Sequence, residues 1–119
     1  MKERKENTVK NNGSQKNKKG IIVLKPGATD LRREENALST VVTEKMNMNA
    51  RDGSFFIFAN KKANKLKMIK ADETGTNLYK KSKNVPVQWP EYGQPIVILK
   101  GNDARNFLEY IGFPGSILD

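Results

Sequence analysis

Five consecutive apolar residues, Phe55-Phe56-Ile57-Phe58-Ala59, constrain this chain more than any other stretch. Successive side chains of a strand point to opposite faces, so Phe56 and Phe58 face one way and Phe55 and Ile57 the other. A strand that is apolar on both sides has to be covered on both. The next segment has a different character. After the turn Asn60-Lys61-Lys62-Ala63-Asn64, lysines recur among apolar residues from Lys65 to Lys70, and beyond Asp72-Glu73-Thr74-Gly75 comes Asn77-Leu78-Tyr79-Lys80-Lys81. β-prone runs separated by turn residues predict three consecutive antiparallel strands. The second strand is expected to have one open face, because its ammonium groups must reach water or an anion.

The flanking segments supply the rest of a small domain. Residues 1–19 hold one aliphatic residue, Val9, among Lys, Asn, Glu, Ser and Gln, and are expected to be a disordered basic tail. Residues 20–119 are expected to form the single domain. Gly20 to Lys25, with Ile21, Ile22, Val23 and Leu24 at its centre, reads as a short buried strand ended by Pro26-Gly27. Thr29 and Asp30 offer capping oxygens for a helix running to about Lys45, with Leu31, Leu38, Val41, Val42 and Met46 on its inner face. Its end falls among Asn47, Asn49 and Gly53. Three prolines between Ser82 and Pro95 predict a loop, and Pro95 to Leu99 predicts a further buried strand or the approach to one. Asn102 or Asp103 is placed to cap a last helix whose face is Ala104, Phe107, Leu108 and Ile111, with Gly112 just past its end. The fold class is α+β: a three-strand meander plus one or two further strands in an antiparallel sheet, with two packed helices.

The 119 residues include no cysteine and no histidine, which removes disulfides, thiolate zinc sites, cysteine nucleophiles and every histidine-based triad. No apolar run approaches the roughly 20 residues needed to cross a bilayer, and the first twenty residues lack a signal-peptide core. A soluble, cytoplasmic protein without cofactor, metal or membrane partner is the expectation. The net charge of +9 is unevenly placed. Residues 1–19 carry seven basic and two acidic side chains, and residues 60–83 carry eight basic and two acidic. Charge segregated in this way is the electrostatic footprint of phosphate-backbone binding, although a solvated surface produces it too.

Three blocks of residues resemble a known family. They are Thr29-Asp30-Leu31-Arg32-Arg33 with Leu38, then Phe56-Ile57-Phe58 with Lys61-Lys62, Lys65-Leu66-Lys67, Asp72 and Gly75, and finally Tyr79-Lys80-Lys81 with Trp89-Pro90 beyond it. Their order and spacing are similar to those of the TnpB accessory proteins, encoded by the second reading frame of insertion sequence sixty-six transposable elements. The likeness spans about residues 29 to 112, and departs from the family at Glu35-Asn36-Ala37, where its members have Phe-Asp-Gly. The resemblance implies an accessory factor for transposition that acts beside a separately encoded transposase.

Two functions compete. In the first, a non-enzymatic protein holds DNA through the hairpin lysines Lys61, Lys62, Lys65, Lys67, Lys80 and Lys81, all projecting from one side. Tyr79 then stacks on a base, Asn60, Asn64 or Asn77 reads one, and Arg32 and Arg33 add charge at the first helix. In the second, the module docks on the transposase through apolar surface and Trp89, without touching DNA. Each motif also has a plain structural reading. Tyr79 can be a half-buried strand residue, Asp30 a cap, Asp72 and Glu73 turn chemistry, and Trp89 an anchor for the proline loop. Catalysis by Asp30, Asp72 and Glu73 has no supporting ligand spacing. Oligomeric state is not encoded in any pattern visible here.

Overall fold

The computed structural model describes residues 20–119, so the expected basic tail lies outside the described residues. Five strands, β1 (Ile21–Leu24), β2 (Phe55–Ala59), β3 (Lys65–Asp72), β4 (Gly75–Ser82) and β5 (Val97–Lys100), form one sheet in the order β4-β3-β2-β1-β5. Helix α1 (Glu35–Lys45) connects β1 to β2, and α2 (Gly101–Ile111) comes directly after β5. A short 3-10 turn, Gly115–Leu118, ends the chain.

The α+β class is as expected, with one correction to the pairing. The meander β2-β3-β4 is antiparallel, and β5 is antiparallel to β1, but β1 runs parallel to β2. A parallel neighbour needs a long crossover, and α1 with its flanking loops provides it.

Covering of both faces at β2 holds at every position, since all five of its residues are buried. Phe56 and Phe58 join Val23, Ile69, Leu38 and Val42 beneath α1. Phe55 and Ile57 join Ile22, Leu24, Met68 and Leu108 beneath α2. The expectation of an open face on β3 is corrected as well. Leu66 and Met68 are buried under the α2 layer and Ile69 under the α1 layer, and Lys67 itself is buried.

Helix α1 begins later than Asp30. The Asp30 carboxylate accepts the backbone N–H of Arg32 at 3.0 Å, and the Arg33 N–H reaches the Asp30 carbonyl at 3.3 Å. These local bonds close a tight turn that competes with helix, and regular structure starts only at Glu35. The helix stops where Asn47 adopts φ 57° and the Met48 N–H turns back to the Val42 carbonyl. Helix α2 begins at Gly101 with Lys100 at its N-cap and no side-chain capping bond, so neither Asn102 nor Asp103 acts as the cap; Asp103 lies in the first turn. Gly112 ends the helix at φ 104°, and its N–H and that of Phe113 satisfy the Leu108 carbonyl. Trp89 anchors the proline-containing loop: its indole N–H donates to the carbonyls of Lys25 and Gly27, at 3.0 and 3.1 Å.

Candidate nucleic-acid interface

The register of the β3–β4 hairpin decides where each candidate lysine points. Lys67 and Lys80 are directly opposite each other. Two like charges so placed destabilise a sheet unless an anion lies over them. Here the protein supplies that anion. The Glu34 carboxylate, from the residue before α1, lies 2.7 Å from Lys67 Nζ and 3.8 Å from Lys80 Nζ. Lys67 also donates to the Arg33 carbonyl at 2.8 Å, and the residue is only 8% exposed. The hydrogen bond from Lys67, reinforced by the charges of Lys67 and Lys80, holds the Glu34 carboxyl below its usual range.

Lys81 lies on the other face. Its ammonium sits over the Phe113 ring, 4.9 Å from the centroid. Tyr79 shares that face and packs between Phe55 and Phe113, with centroid separations of 6.2 and 6.1 Å. A single cationic side on the hairpin is therefore not what the chain builds. Strand alternation sends Lys80 and Lys81 to opposite faces, and Glu34 neutralises the Lys67–Lys80 pair. Tyr79 is a partly buried packing residue, not a free platform for a base.

Exposed cations gather instead at one end of the sheet. β1 and β2 finish there, β3 begins there and β4 finishes there. Lys61 and Lys62 are exposed in the β2–β3 turn, and the exposed Lys65 opens β3 opposite Ser82. Among the described residues none of these three lies within ion-pair distance of a carboxylate. The turn that carries them is well tied. Asn60 Oδ1 accepts the backbone N–H groups of Asn64 and Lys65, both at 3.0 Å, and the Asn60 amide donates to Asn64 Oδ1 at 2.8 Å. Asn60 and Asn64 are thus occupied in shaping the turn and are not free to read a base edge. Lys83 joins the same end through its N–H bond to the Asn64 carbonyl.

Arg32 is exposed, and its guanidinium grips Asp30 with two bonds of 3.0 and 2.8 Å. Those bonds hold the Asp30 carboxyl well below the usual carboxylate range. Asp72 and Glu73 lie in the β3–β4 turn at the opposite end of the sheet, where Asp72 accepts the Thr74 N–H. Asp30 therefore does not meet them, and no trio of metal-ligating side chains comes together among the described residues.

Beside the basic end, a groove of about 540 Å³ is lined by Lys25, Thr29, Arg33, Lys45 and Tyr92, among others. Of these, only Arg33 is among the binding candidates drawn from the sequence. The remaining lining comes from the exit of β1, the last turn of α1 and the loop after Trp89, which are remote in sequence.

A family model described as IS66 Orf2 like protein matches residues 21–111, from β1 to the end of α2. The chain belongs to the IS66 Orf2-like family. No match was found among curated proteins or among solved structures. Membership makes this an insertion-sequence accessory protein. In this IS66 Orf2-like chain parts of all three sequence blocks meet at the basic end, although Asp72 and Gly75 of the second lie at the other: the Thr29 N–H bonds the Ala59 carbonyl at 2.8 Å, the Lys61-Lys62 turn adjoins it, and Trp89 bonds the backbone at Lys25 and Gly27. A sequence signal for the groove existed in one respect. Loops leaving the carboxyl ends of adjacent parallel strands commonly build ligand sites, but the parallel pairing of β1 and β2 had first to be known.

Proposed function

We propose that this insertion-sequence accessory protein is non-enzymatic and binds the phosphate backbone of DNA through the basic end of its sheet, with Lys61, Lys62 and Lys65 as the principal contacts. One observation carries the reading. These three lysines are exposed on a well-tied turn with no carboxylate beside them among the described residues, whereas Lys67 and Lys80 have Glu34. Three phosphate contacts give a slope of log K against log salt of about −3.

Fluorescence-anisotropy titration of random duplex and single-stranded DNA at two salt concentrations tests this. The Lys61/Lys62/Lys65→Ala protein is expected to bind more weakly, and its salt slope to flatten by about three units. Equal, weak binding by both proteins would remove the proposal. It would favour the second reading, docking on a separately encoded transposase. The feature in favour of that reading is the edge strand β5, whose Ile98 is 46% exposed.

A further inference from the structure

The groove at the exit of β1 combines two elements that the turn lysines lack: a concave wall and an exposed aromatic face. Lys25, Arg33 and Lys45 all line it, and among the described residues none of the three is ion-paired with a carboxylate. Asp30 is the one acidic residue in the lining, and the Arg32 guanidinium already binds it. Thr29 also lines the groove, and its buried hydroxyl has no hydrogen-bond partner among the described residues. Tyr92 stands at the rim, 87% exposed. It is positioned by Gly27, which adopts φ 77° and leaves so little room that a Cβ there would come within 2.9 Å of the tyrosine ring. The volume of about 540 Å³ falls within the roughly 300–1,000 Å³ of small-ligand sites.

Lys25 and Lys45, with no carboxylate in ion-pair distance among the described residues, repel each other. Burial and the neighbouring Lys45 charge both push the Lys25 ammonium below its ordinary pKa. A phosphate would relieve that repulsion. The Tyr92 ring supplies the stacking surface that a base beside the phosphate requires, which Tyr79 cannot supply. We infer that the Lys25/Arg33/Lys45/Tyr92 groove binds one nucleoside phosphate unit, its phosphate among the three cations and its base on Tyr92. The unit comes from a single strand or from a free nucleotide. The first source rests on the DNA-binding function proposed for the turn lysines, and the second does not.

The chain's one tryptophan, Trp89, bonds the backbone at Lys25 and Gly27 and so reports on the groove. The full chain is titrated with a nucleoside 5′-monophosphate, the uncharged nucleoside, inorganic phosphate and a short single-stranded oligonucleotide, with Trp89 fluorescence as the readout and calorimetry as a check. The expected order is monophosphate tighter than inorganic phosphate, and both tighter than the nucleoside. Tyr92→Ala, a change at an exposed site, should weaken the monophosphate roughly tenfold and leave inorganic phosphate unchanged. Lys25→Ala/Lys45→Ala should weaken both. Lys61/Lys62/Lys65→Ala should leave monophosphate binding intact. Tighter binding of the oligonucleotide than of the monophosphate identifies a strand as the source, and equal binding identifies a free nucleotide.

Phosphate binding as tight as monophosphate binding, with Tyr92→Ala silent, reduces the groove to an anion site and overturns the inference. No monophosphate binding while duplex DNA still binds overturns the groove alone and leaves the DNA-binding function standing. Monophosphate binding without any duplex affinity does the reverse.

Discussion

Lys67 and Lys80, midway along the hairpin, contrast with Lys61, Lys62 and Lys65 at its turn. All five are lysines within about twenty residues of sequence, but their counterions have different origins. The mid-hairpin pair meets Glu34, delivered from the segment before α1. The turn lysines meet no carboxylate among the described residues. A cation that has an internal partner belongs to the energetics of folding. A cation that has none is available to an external polyanion, whose counterions it displaces. Counting lysines in a hairpin cannot separate the two; locating the nearest carboxylate can.

The largest effects expected from this contrast are on DNA affinity. Removing all three turn lysines should flatten the salt dependence by about three units of slope. Lys67→Met should leave that slope unchanged. If Lys67→Met alters it as much as any turn substitution does, the division between folding lysines and binding lysines fails. Lys67→Met should act on stability instead. It leaves the Arg33 carbonyl without the Lys67 donor, a loss of about 1–3 kcal/mol. In a domain of about 100 residues each kcal/mol lowers the melting temperature by roughly 4–8 °C. Thermal denaturation monitored by circular dichroism measures it.

Next in size is an effect of acid. The Glu34 carboxyl is held below its ordinary value of 4.5, first by the Lys67 hydrogen bond and then by the charges of Lys67 and Lys80. A depressed folded-state value means that the unfolded chain binds the proton more readily. The stabilisation is therefore complete above that ordinary value and is lost as pH falls through the lower folded one. Glu34→Gln should be less stable than the parent at pH 7, and the gap should narrow as pH falls below 4.5 and through the lower folded-state value. A gap that stays constant between pH 7 and pH 3 would show that the carboxylate charge does not hold the pair.

The double coverage of β2 is legible in the sequence because period two is simple arithmetic: five apolar residues in a row leave no polar side. The end of α2 is legible from Gly112, and the anchoring role of Trp89 from its setting among prolines. Less legible are features whose partners are far away in sequence. The start of α1 is ambiguous because Asp30 has two possible uses, helix cap or tight turn, and its grip on Arg32 selects the turn. The parallel pairing of β1 with β2 depends on where a crossover lands. Glu34 is 33 residues from Lys67, so nothing local marks it as that lysine's counterion. The groove is hard to read for the same reason, since its one signal depends on the parallel pairing, and Lys25, Lys45 and Tyr92 meet only after the sheet is assembled.

Lys80→Ala should have the smallest effect of all, for a reason that tests the comparison most closely. Its ammonium is 3.8 Å from Glu34, and the side chain is 62% exposed, so the pair is weak and screened. Deleting it removes that attraction but also removes the direct opposition of Lys67 and Lys80 across the strands. The two losses have opposite sign, and stability should change by less than about 0.5 kcal/mol. On DNA, Lys80 is exposed but shares its charge with Glu34, so its removal should shift the salt slope by well under the roughly one unit expected of a lysine that contacts phosphate directly. A full unit of slope from Lys80→Ala would mean that Glu34 releases this lysine to the polyanion, and that the basic surface extends from the turn onto the α1 face.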